Sequence, residues 1–442
     1  MYAQFLKELP IYSKEGLQNI QGVWIKYPKE SDAKALVQSL QGYTLEWCIA
    51  NLSTAQNFLN GGDIHVFYSN DPMGNSIVPR LAIRMIWDSQ IAENPRGIAP
   101  KQNLDPYILP VLEAKFKEFG SIADKYQKQA SDMKFLTQIY QKWENKISLG
   151  RDELRFLYEI DGKIRGFGYD IDPRIQEILD AKDKNAKRKD LVFIFGCNPN
   201  QISFNENEAL SGGIIYHWGN LDVRDIESFR GKFPKYIRGY LDLKSLKSYK
   251  GDFPKHVGGN LHLICLKSYK GDFPKYVGGT LNLESLESFE GAFPEHVGGD
   301  LDLESLQSYK GYFPKYVGRH LWLNSLESFK GNFPEYVGEY LNLESLESFK
   351  GNFPEYVGSS VNLLHLKSYE GDFPKYIGDW LDLRSLNSLK GNLPEYVGDT
   401  LYLGSLESFE GNFPKYVGSG LNLESLTSLE GNLPEHVGGK FI

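Results

Sequence analysis

The segment from residue 44 to residue 105 concentrates the side chains whose types suit catalysis. Cys48 stands in a W-C-x-A motif, and a cysteine is a nucleophile only where a base or positive charge favours its thiolate. A histidine and two arginines of the same segment are placed to supply that base and that charge. The candidate catalytic residues are therefore Cys48, His65, Arg84 and Arg96.

Two predicted strands, 63–69 and 80–88, organise the other polar side chains of this segment. Alternate residues of a strand share a face, so Asp63 lies beside His65, and Arg80 lies beside Arg84. If the strands pair antiparallel, the four side chains form either a surface salt-bridge cluster or an anion pocket. The polar cluster predicted for this region comprises Trp47, Asp63, Arg80, Glu93, Gln102 and Asn103.

Cys48 has a second interpretation, as a small buried hydrophobic residue beside Trp47, which is the commoner role of a free cysteine. The sequence contains no P-loop, G-x-G-x-x-G, H-E-x-x-H or EF-hand pattern. Its three cysteines are far apart, which predicts neither a disulfide framework nor a zinc site. We expect no cofactor and no metal, and we expect a binding module rather than an enzyme.

Eleven consecutive blocks of twenty residues, from Leu221 to Lys440, follow one another without insertion or deletion. A strict period of this length predicts a solenoid, in which each coil buries its apolar side against its neighbours. In the block 341–360 the L-x-L alternation indicates a strand with both leucines inward, and two phenylalanines fill the layer. The serine at position 8 and the glycine at position 11 recur in every block, which indicates structural roles.

The spacing of apolar residues around L-x-L resembles the leucine-rich-repeat family over residues 221–440. The blocks are most similar to the L-P-x-x-V-G-G-x-L-x-L units of bacterial and phage proteins, although leucine replaces the family's asparagine after the strand. This resemblance implies a leucine-rich-repeat-like solenoid, and a β-helix with three faces per coil is the alternative. The predicted fold class is an α+β head domain followed by a β-rich solenoid.

Positions 20, 2 and 4 of the blocks vary most and alternate outward on the strand face. Large aromatic side chains stand there between the fifth and tenth blocks, beside acidic residues. Exposed aromatic groups of this kind are typical of protein-binding surfaces, although they also stack across strands for stability. The predicted protein-binding residues are His320, Trp322, Tyr340, Leu364, Trp380 and Tyr402.

The formal net charge is −8, but the charge is polarised along the repeats. The first three blocks hold 12 basic and 6 acidic residues, whereas the last eight hold 11 and 24. The predicted function is a recognition scaffold with an adaptor or ligand-binding head, and an effector enzyme whose catalytic head is targeted by the solenoid is the first alternative. Nucleic-acid binding through the first blocks is a second alternative, although a continuous basic stripe is lacking. The basic neck comprises Arg224, Arg230, Lys232, Lys235, Arg238, Lys244 and Lys247.

The order W-C-x-A, G-D-x-x-V-F-Y, P-R-L-A-I-R and E-x-x-R-G over residues 44–105 is similar to head domains of candidate-phylum bacterial proteins and, more distantly, to PcfJ-like conjugative-plasmid proteins.

Neither a signal peptide nor a membrane span is indicated, which favours a cytoplasmic protein. We expect helices near 2–9, 31–41, 53–60, 106–119, 130–147 and 151–158, and a further strand at 191–196. The predicted domains are the head 1–130, a helical connector 131–202, a solenoid cap 203–220 and the solenoid 221–442.

Overall fold

The computed structural model describes residues 14–43, 46–86, 90–164, 166 and 172–440. It divides the chain into two compact units, residues 1–134 with 165–170, and residues 135–164 with 171–442. The predicted connector therefore lies almost wholly in the second unit. The predicted helix 2–9 lies outside the described residues.

The first unit is built on an antiparallel sheet with helices on both of its faces. The strands are β1 (Gly22–Tyr27), β2 (Ile64–Asn70), β3 (Ser76–Ile86), β4 (Gln90–Ile91) and β5 (Arg96–Gly97). The helices are α1 (Lys14–Gln18), α2 (Lys34–Ser39), α3 (Leu52–Gly61), α4 (Leu109–Phe119) and α5 (Ser121–Glu144), with short 3₁₀ turns at Cys48–Ala50 and Pro100–Gln102.

Strand β2 is the central element of this sheet, because it pairs with β1 on one side and β3 on the other. Its side chains alternate between two cores. Ile64, Val66 and Tyr68 face α2 and α3, whereas Phe67 joins the core that contains α4 and the start of α5. Both faces are covered, so polar residues of β2 are buried as well.

The second unit begins with helices that precede the repeats. They are α6 (Arg151–Leu157), α7 (Pro173–Asp180), α8 (Lys184–Phe195) and α9 (Glu206–Leu210), with a 3₁₀ turn at Pro199–Gln201. The predicted strand 191–196 is wrong, because this apolar run is the end of α8. Asp183 accepts a hydrogen bond from the backbone of Ala186 and caps the helix, which then buries Leu191 and Ile194 on one side.

The repeats form a parallel β-solenoid whose short strands lie in three rows, and every coil except 301–320 contributes a strand to each row. The leucine sheet contains eleven strands, Leu221–Asp222, Leu241–Asp242, Leu261–His262, Leu281–Asn282, Leu301–Asp302, Leu321–Trp322, Leu341–Asn342, Val361–Asn362, Leu381–Asp382, Leu401–Tyr402 and Leu421–Asn422.

The tyrosine sheet contains thirteen strands, because residues before the first repeat extend it. They are β6 (Ile202–Ser203), β7 (Tyr216–His217), Tyr236–Ile237, His256–Val257, Tyr276–Val277, His296–Val297, Tyr316–Val317, Tyr336–Val337, Tyr356–Val357, Tyr376–Ile377, Tyr396–Val397, Tyr416–Val417 and His436–Val437.

The serine row is broken into four short sheets. Its strands are Ser228–Phe229, Ser248–Tyr249, Ser268–Lys270, Ser288–Glu290, Ser328–Lys330, Ser348–Lys350, Ser368–Glu370, Ser388–Lys390, Ser408–Glu410 and Ser428–Glu430. The predicted fold class is thus confirmed, since an α/β region precedes a parallel solenoid of eleven coils. Three strand rows per coil also fit the β-helix alternative.

Each coil closes around apolar side chains that repeat from layer to layer. Leu341, Leu343 and Leu346 are fully buried, and their counterparts in the other coils form one continuous core. The phenylalanines join that core, with Phe349 packed against Phe353 in the same layer. Because most core residues rest on the same or a similar residue type above and below, the layers stack without insertions.

Glycine is required at position 11, where the chain leaves the serine row. Gly351 has a φ of +148°, and an added Cβ would come within 1.8 Å of the carbonyl oxygen of Gly331 in the preceding coil. Both the backbone conformation and the inter-coil spacing therefore exclude a side chain.

We predict that Gly351→Ala lowers the free energy of unfolding by about 1–3 kcal/mol, because it adds backbone strain and a clash with the next layer. Urea denaturation followed by circular dichroism measures the change. Gly404→Ala is the matched control, since its Cβ would meet nothing closer than 3.6 Å. Equal effects of the two substitutions would contradict this role for position 11.

Candidate functional sites

The W-C-x-A motif forms one wall of a small cleft in the first unit. Trp47 is buried and donates a hydrogen bond from its indole Nε1 to the carbonyl oxygen of Gly97, at 2.7 Å. Cys48 begins the 3₁₀ turn that follows and is exposed. The alternative of a buried cysteine is therefore wrong, because the tryptophan takes the interior position and turns its neighbour outward.

The other wall carries two of the predicted arginines. Arg84 lies 3.7 Å above the ring of Phe58, and Arg96 pairs with Glu93. Arg96 also donates a hydrogen bond to Gln102, at 3.0 Å. Cys48, Arg84, Arg96, Glu93, Gln102 and Trp47 all line this cleft.

The free volume of the cleft is about 20 Å³, which holds about one water molecule rather than a substrate. The charge of Arg96 is balanced by Glu93, whereas Arg84 contributes a positive charge that faces the ring of Phe58. As it stands in the structure, it offers neither the space nor the base that a cysteine nucleophile needs.

His65 is not part of this cleft. Its ring packs edge-on against Phe119, with ring centroids 5.2 Å apart, on the face of the sheet that carries Phe67. Burial, reinforced by the charge of Lys115, lowers the pKa of His65 to about 3. The imidazole is therefore neutral at pH 7, and a covered sheet separates its face from the cleft.

Of the four strand residues expected to meet, Asp63 and His65 remain close enough to interact, but the two arginines lie elsewhere. Asp63 pairs with Lys26 at 2.5 Å and accepts a hydrogen bond from the backbone of Lys29. Arg80 is left without a strand partner by a bulge, where the register passes from Phe67–Leu81 to Tyr68–Pro79. The strands do pair antiparallel, which was the condition for the cluster, but the bulge redirects Arg80 away from Arg84.

Arg80 has a structural role in this unit. It is 1% exposed and binds Asp105 through two nitrogens, at 2.9 and 3.2 Å. Its remaining donors reach the carbonyl oxygens of Leu17 and Asn19. Asn103, the last residue of the predicted polar cluster, is exposed and donates to the carbonyl oxygen of Pro100.

We predict that Asp105→Asn lowers the free energy of unfolding of the first unit by about 3–5 kcal/mol, because it leaves a buried guanidinium without its counter-charge. Thermal unfolding of the whole chain, followed by hydrogen exchange in β2 and β3, measures the loss. Asp32→Asn is the control, since Asp32 pairs with Lys34 at the surface and its loss should change little. An Asp105→Asn protein as stable as the control would contradict the assignment.

On the outer surface of the leucine sheet, the residue at position 2 has a structural role in most coils. In eight of the eleven coils this residue is asparagine or aspartate, and its side-chain oxygen accepts a hydrogen bond from the backbone nitrogen at position 4. This bond satisfies a backbone donor at the end of the strand. Three coils lack it, because they carry His262, Trp322 and Tyr402 at this position.

Four of the predicted partner-binding residues form a continuous aromatic patch, which we define as His320, Trp322, Tyr340 and Trp380. The ring centroids of His320 and Trp322 are 5.6 Å apart, and those of Trp322 and Tyr340 are 5.2 Å apart. Tyr340 meets Trp380 at 5.8 Å, across the intervening coil, whose Ser360 is 3% exposed. All four rings are half-buried, so each stacks on its neighbour and also presents a surface to solvent.

Two further predicted residues share this face without a ring contact to the patch. Leu364 is half-buried at position 4 of its coil. Tyr402 lies beneath the guanidinium of Arg384, 5.6 Å from its ring centroid, and Arg384 is itself paired with Asp382. The face therefore continues beyond the patch as a mixed aromatic and charged surface.

Acidic groups surround the aromatic patch. Glu339 contacts Arg319 at 3.1 Å and His320 at 3.0 Å, and Arg319 also approaches Asp300 at 3.8 Å. Burial raises the pKa of Asp302 to about 6, and the neighbouring carboxylates Glu304, Glu284 and Asp300 act in the same direction. This part of the leucine sheet therefore concentrates negative charge beside the rings.

We predict that Asp302→Asn raises the free energy of unfolding at pH 7 by an amount on the order of 1 kcal/mol, after allowance for solvent screening. The folded-state pKa of about 6 lies above the ordinary value of 3.8, so the folded state favours the protonated carboxyl. Its contribution to stability is complete below about pH 4 and is lost as the pH rises through 6. Urea titrations across that range should show the difference between variant and parent vanish on acidification, and a pH-independent difference would contradict it.

The basic neck does not form a single stripe. Its cations are distributed over several positions of the coil, and some are paired. Arg224 pairs with Asp222, and Lys247 pairs with Glu227 at 2.9 Å. Arg230, Lys232, Lys235 and Lys244 are exposed, and Arg238 lies over the ring of Trp218. This dispersion does not favour the nucleic-acid alternative.

Comparison with known proteins gives no relative. No family model matches the chain, and neither the curated proteins nor the solved structures contain a match. Among the described residues, no group of three or more His, Cys, Asp or Glu side chains is arranged to hold a metal ion. No helix in the described part of the chain combines the length and the apolar character needed to span a bilayer.

Two features of these surfaces could have been read from the sequence. The asparagine or aspartate at position 2 recurs in most blocks, which marks a structural residue and makes Trp322 and Tyr402 departures from it. Position 18 is glycine in every block except the first, where it is Arg238. A residue that differs from its counterparts at the same position of the other coils therefore indicates a specialised role.

Proposed function

We propose that this chain is a protein-recognition scaffold, in which the outer face of the leucine sheet binds a segment of a partner protein. The observation that carries this proposal is Trp322, which replaces the asparagine or aspartate that supports the strand end in eight other coils. Trp322 is also the central ring of the aromatic patch.

The replacement is not explained by stability alone. A hydrogen bond of this kind contributes about 0.5–1.5 kcal/mol, and an aromatic pair contributes a similar amount. Because the two contributions nearly balance, the coil gains little from tryptophan at this position. The substitution does give the surface a large half-buried ring, the residue type most enriched where protein interfaces gain their binding energy.

The charges around the patch indicate the chemistry of the partner. Asp300, Glu304, Glu339 and Glu344 flank the strands of the leucine sheet near the rings. A partner segment that combines lysine or arginine with an aromatic or aliphatic side chain matches this surface. Its cation would lie over the rings and near the carboxylates, and its apolar side chain would cover the exposed ring edges.

The first unit fits the proposal as an adaptor or ligand-binding module. Cys48 lies in a cleft that holds about one water molecule, and His65 occupies the opposite face of the sheet. This arrangement supports an adaptor over the alternative of a catalytic effector.

The test uses Trp322→Asn, which gives the coil the residue that most other coils carry. We expect the variant to unfold at nearly the same urea concentration as the parent, because a strand-end hydrogen bond replaces the ring contacts. We expect the affinity for partner peptides to fall roughly thirty-fold or more, as at an interface hot spot. The peptides are selected from a displayed random library on the immobilised whole chain, and fluorescence anisotropy measures their dissociation constants.

Tyr312→Asn is the matched control. Tyr312 is 82% exposed and lies away from the leucine sheet, at a position where Asn332 and Asn352 stand in the next two coils. It should leave binding unchanged. The proposal fails if the selected peptides bind the Trp322→Asn protein as tightly as the parent, or if no basic and apolar peptide family is enriched.

A further inference from the structure

A second, separate cavity lies in the second unit, where the residues after α6 meet the first coils of the solenoid. Its free volume is about 180 Å³, and its lining includes Tyr158, Glu159, Lys163, Tyr216, Arg238 and His256. An engineered protein cavity of about 150 Å³ accommodates benzene, so this cavity is large enough for a small organic molecule.

Two polar atoms of side chains that line this cavity are buried and have no hydrogen-bond partner among the described residues. They are the hydroxyl oxygen of Tyr216 and the Nε of Arg238. Tyr216 is 2% exposed, and burial raises the pKa of its hydroxyl, which therefore stays protonated as a donor. Leaving such groups unsatisfied costs free energy, which a bound polar molecule would recover.

Arg238 is specialised for this place. Every other coil has glycine at position 18, and an added Cβ at Gly258 would lie 2.2 Å from the carbonyl oxygen of Arg238. In the first coil, the side chain of Arg238 instead lies over Trp218. The guanidinium carbon of Arg238 is 4.2 Å from the centroid of the Trp218 ring. The indole fixes the orientation of the guanidinium without neutralising its charge.

The other charged groups of the lining determine the net charge of the cavity. Lys163 adds a second positive charge, and Glu159 adds one negative charge while its Oε1 accepts a hydrogen bond from the backbone of Ile164. Burial lowers the pKa of His256 to about 4, so this imidazole is neutral at pH 7. Asp161, which lies near His256, is paired with Arg155. The lining therefore carries a net charge of about +1, which matches a monoanion.

The walls of the cavity are aromatic and aliphatic. Tyr158, whose hydroxyl donates to Asp190 at 2.7 Å, presents its ring beside Ile160 and Ile175. Tyr236 is held between Phe195 and His256, with ring centroids 5.0 and 6.1 Å apart. Rings held in this way form rigid walls for a flat apolar group.

We propose that this cavity binds a small monocarboxylate with an apolar or aromatic body, its carboxylate held by Arg238, Lys163 and the hydroxyl of Tyr216. A planar guanidinium matches a carboxylate better than a point charge does, and one net positive charge matches one carboxylate. This site is independent of the leucine sheet and of the proposed recognition function.

The experiment uses benzoate as the probe, with isothermal titration calorimetry and saturation-transfer NMR on the whole chain. Two variants test the site. Arg238→Gly introduces the residue of every other coil, and Tyr216→Phe removes only the unpartnered hydroxyl. Each should weaken benzoate binding by roughly ten- to a hundred-fold, the loss expected for a charge-assisted hydrogen bond. Tyr216→Phe should unfold at the same or a higher temperature, because it buries no unsatisfied oxygen.

Lys235→Gln is the control, since it removes an exposed cation of the same coil and should leave binding unchanged. Benzyl alcohol, which keeps the ring and lacks the charge, should not compete with benzoate. The proposal is overturned if the parent shows no saturable benzoate binding, if benzyl alcohol or inorganic phosphate binds as well as benzoate, or if both variants bind benzoate as the parent does.

Discussion

The contact between identical positions of successive coils governs the rest of this structure. The backbone nitrogen of Leu341 donates to the carbonyl oxygen of Ser360, and that of Gly358 donates to Val337, so each coil is bonded to its neighbours over its whole circumference. A residue must therefore be compatible with a copy of itself about 4.8 Å above and below. Leucine and phenylalanine satisfy this requirement in the core. Tyrosine satisfies it on the tyrosine sheet, where Tyr376 and Tyr396 stack with centroids 4.7 Å apart.

Charged residues satisfy the same requirement best where their signs alternate, although like charges also stack, as Lys330 and Lys350 do. Lys267 pairs with Glu287, and Lys350 pairs with Glu370, each one coil apart. Individually such exposed pairs contribute little to stability, but they avoid the repulsion of stacked like charges. Side-chain amides also bond along the stack, as Asn392 does with Asn412. Stacking between coils therefore constrains the outward-facing positions as well. A large aromatic side chain at one of these positions departs from the residue types found there in the other coils.

The period made the solenoid and its buried positions predictable, because L-x-L, the phenylalanines and the invariant glycine repeat in register. The sequence did not reveal all three strand rows, since the dipeptide Tyr356–Val357 is too short to show an alternating pattern. The apolar run at 191–196 was misleading for the same reason, because a short apolar stretch suits a strand or a buried helix equally. In the first unit, the pairing of β2 and β3 followed from alternation, but the bulge that redirects Arg80 has no signature in a single sequence. Likewise, His65 and Cys48 lie close together in the sequence. Only the structure shows that the sheet separates them, with one residue on each of its faces.

The strict period also affects how such a chain can change over generations. A duplication or loss of twenty residues in the repeats, outside the first coil and the coils of the aromatic patch, keeps the same kind of inter-coil contacts. A change in gene length then becomes a change in solenoid length of about 4.8 Å per coil. The aromatic patch, confined to positions between His320 and Trp380, would move as a block and keep its own geometry. The distance of the patch from the ends of the solenoid is thus inherited and changes in steps of one coil. Such a change does not alter the affinity of the patch itself.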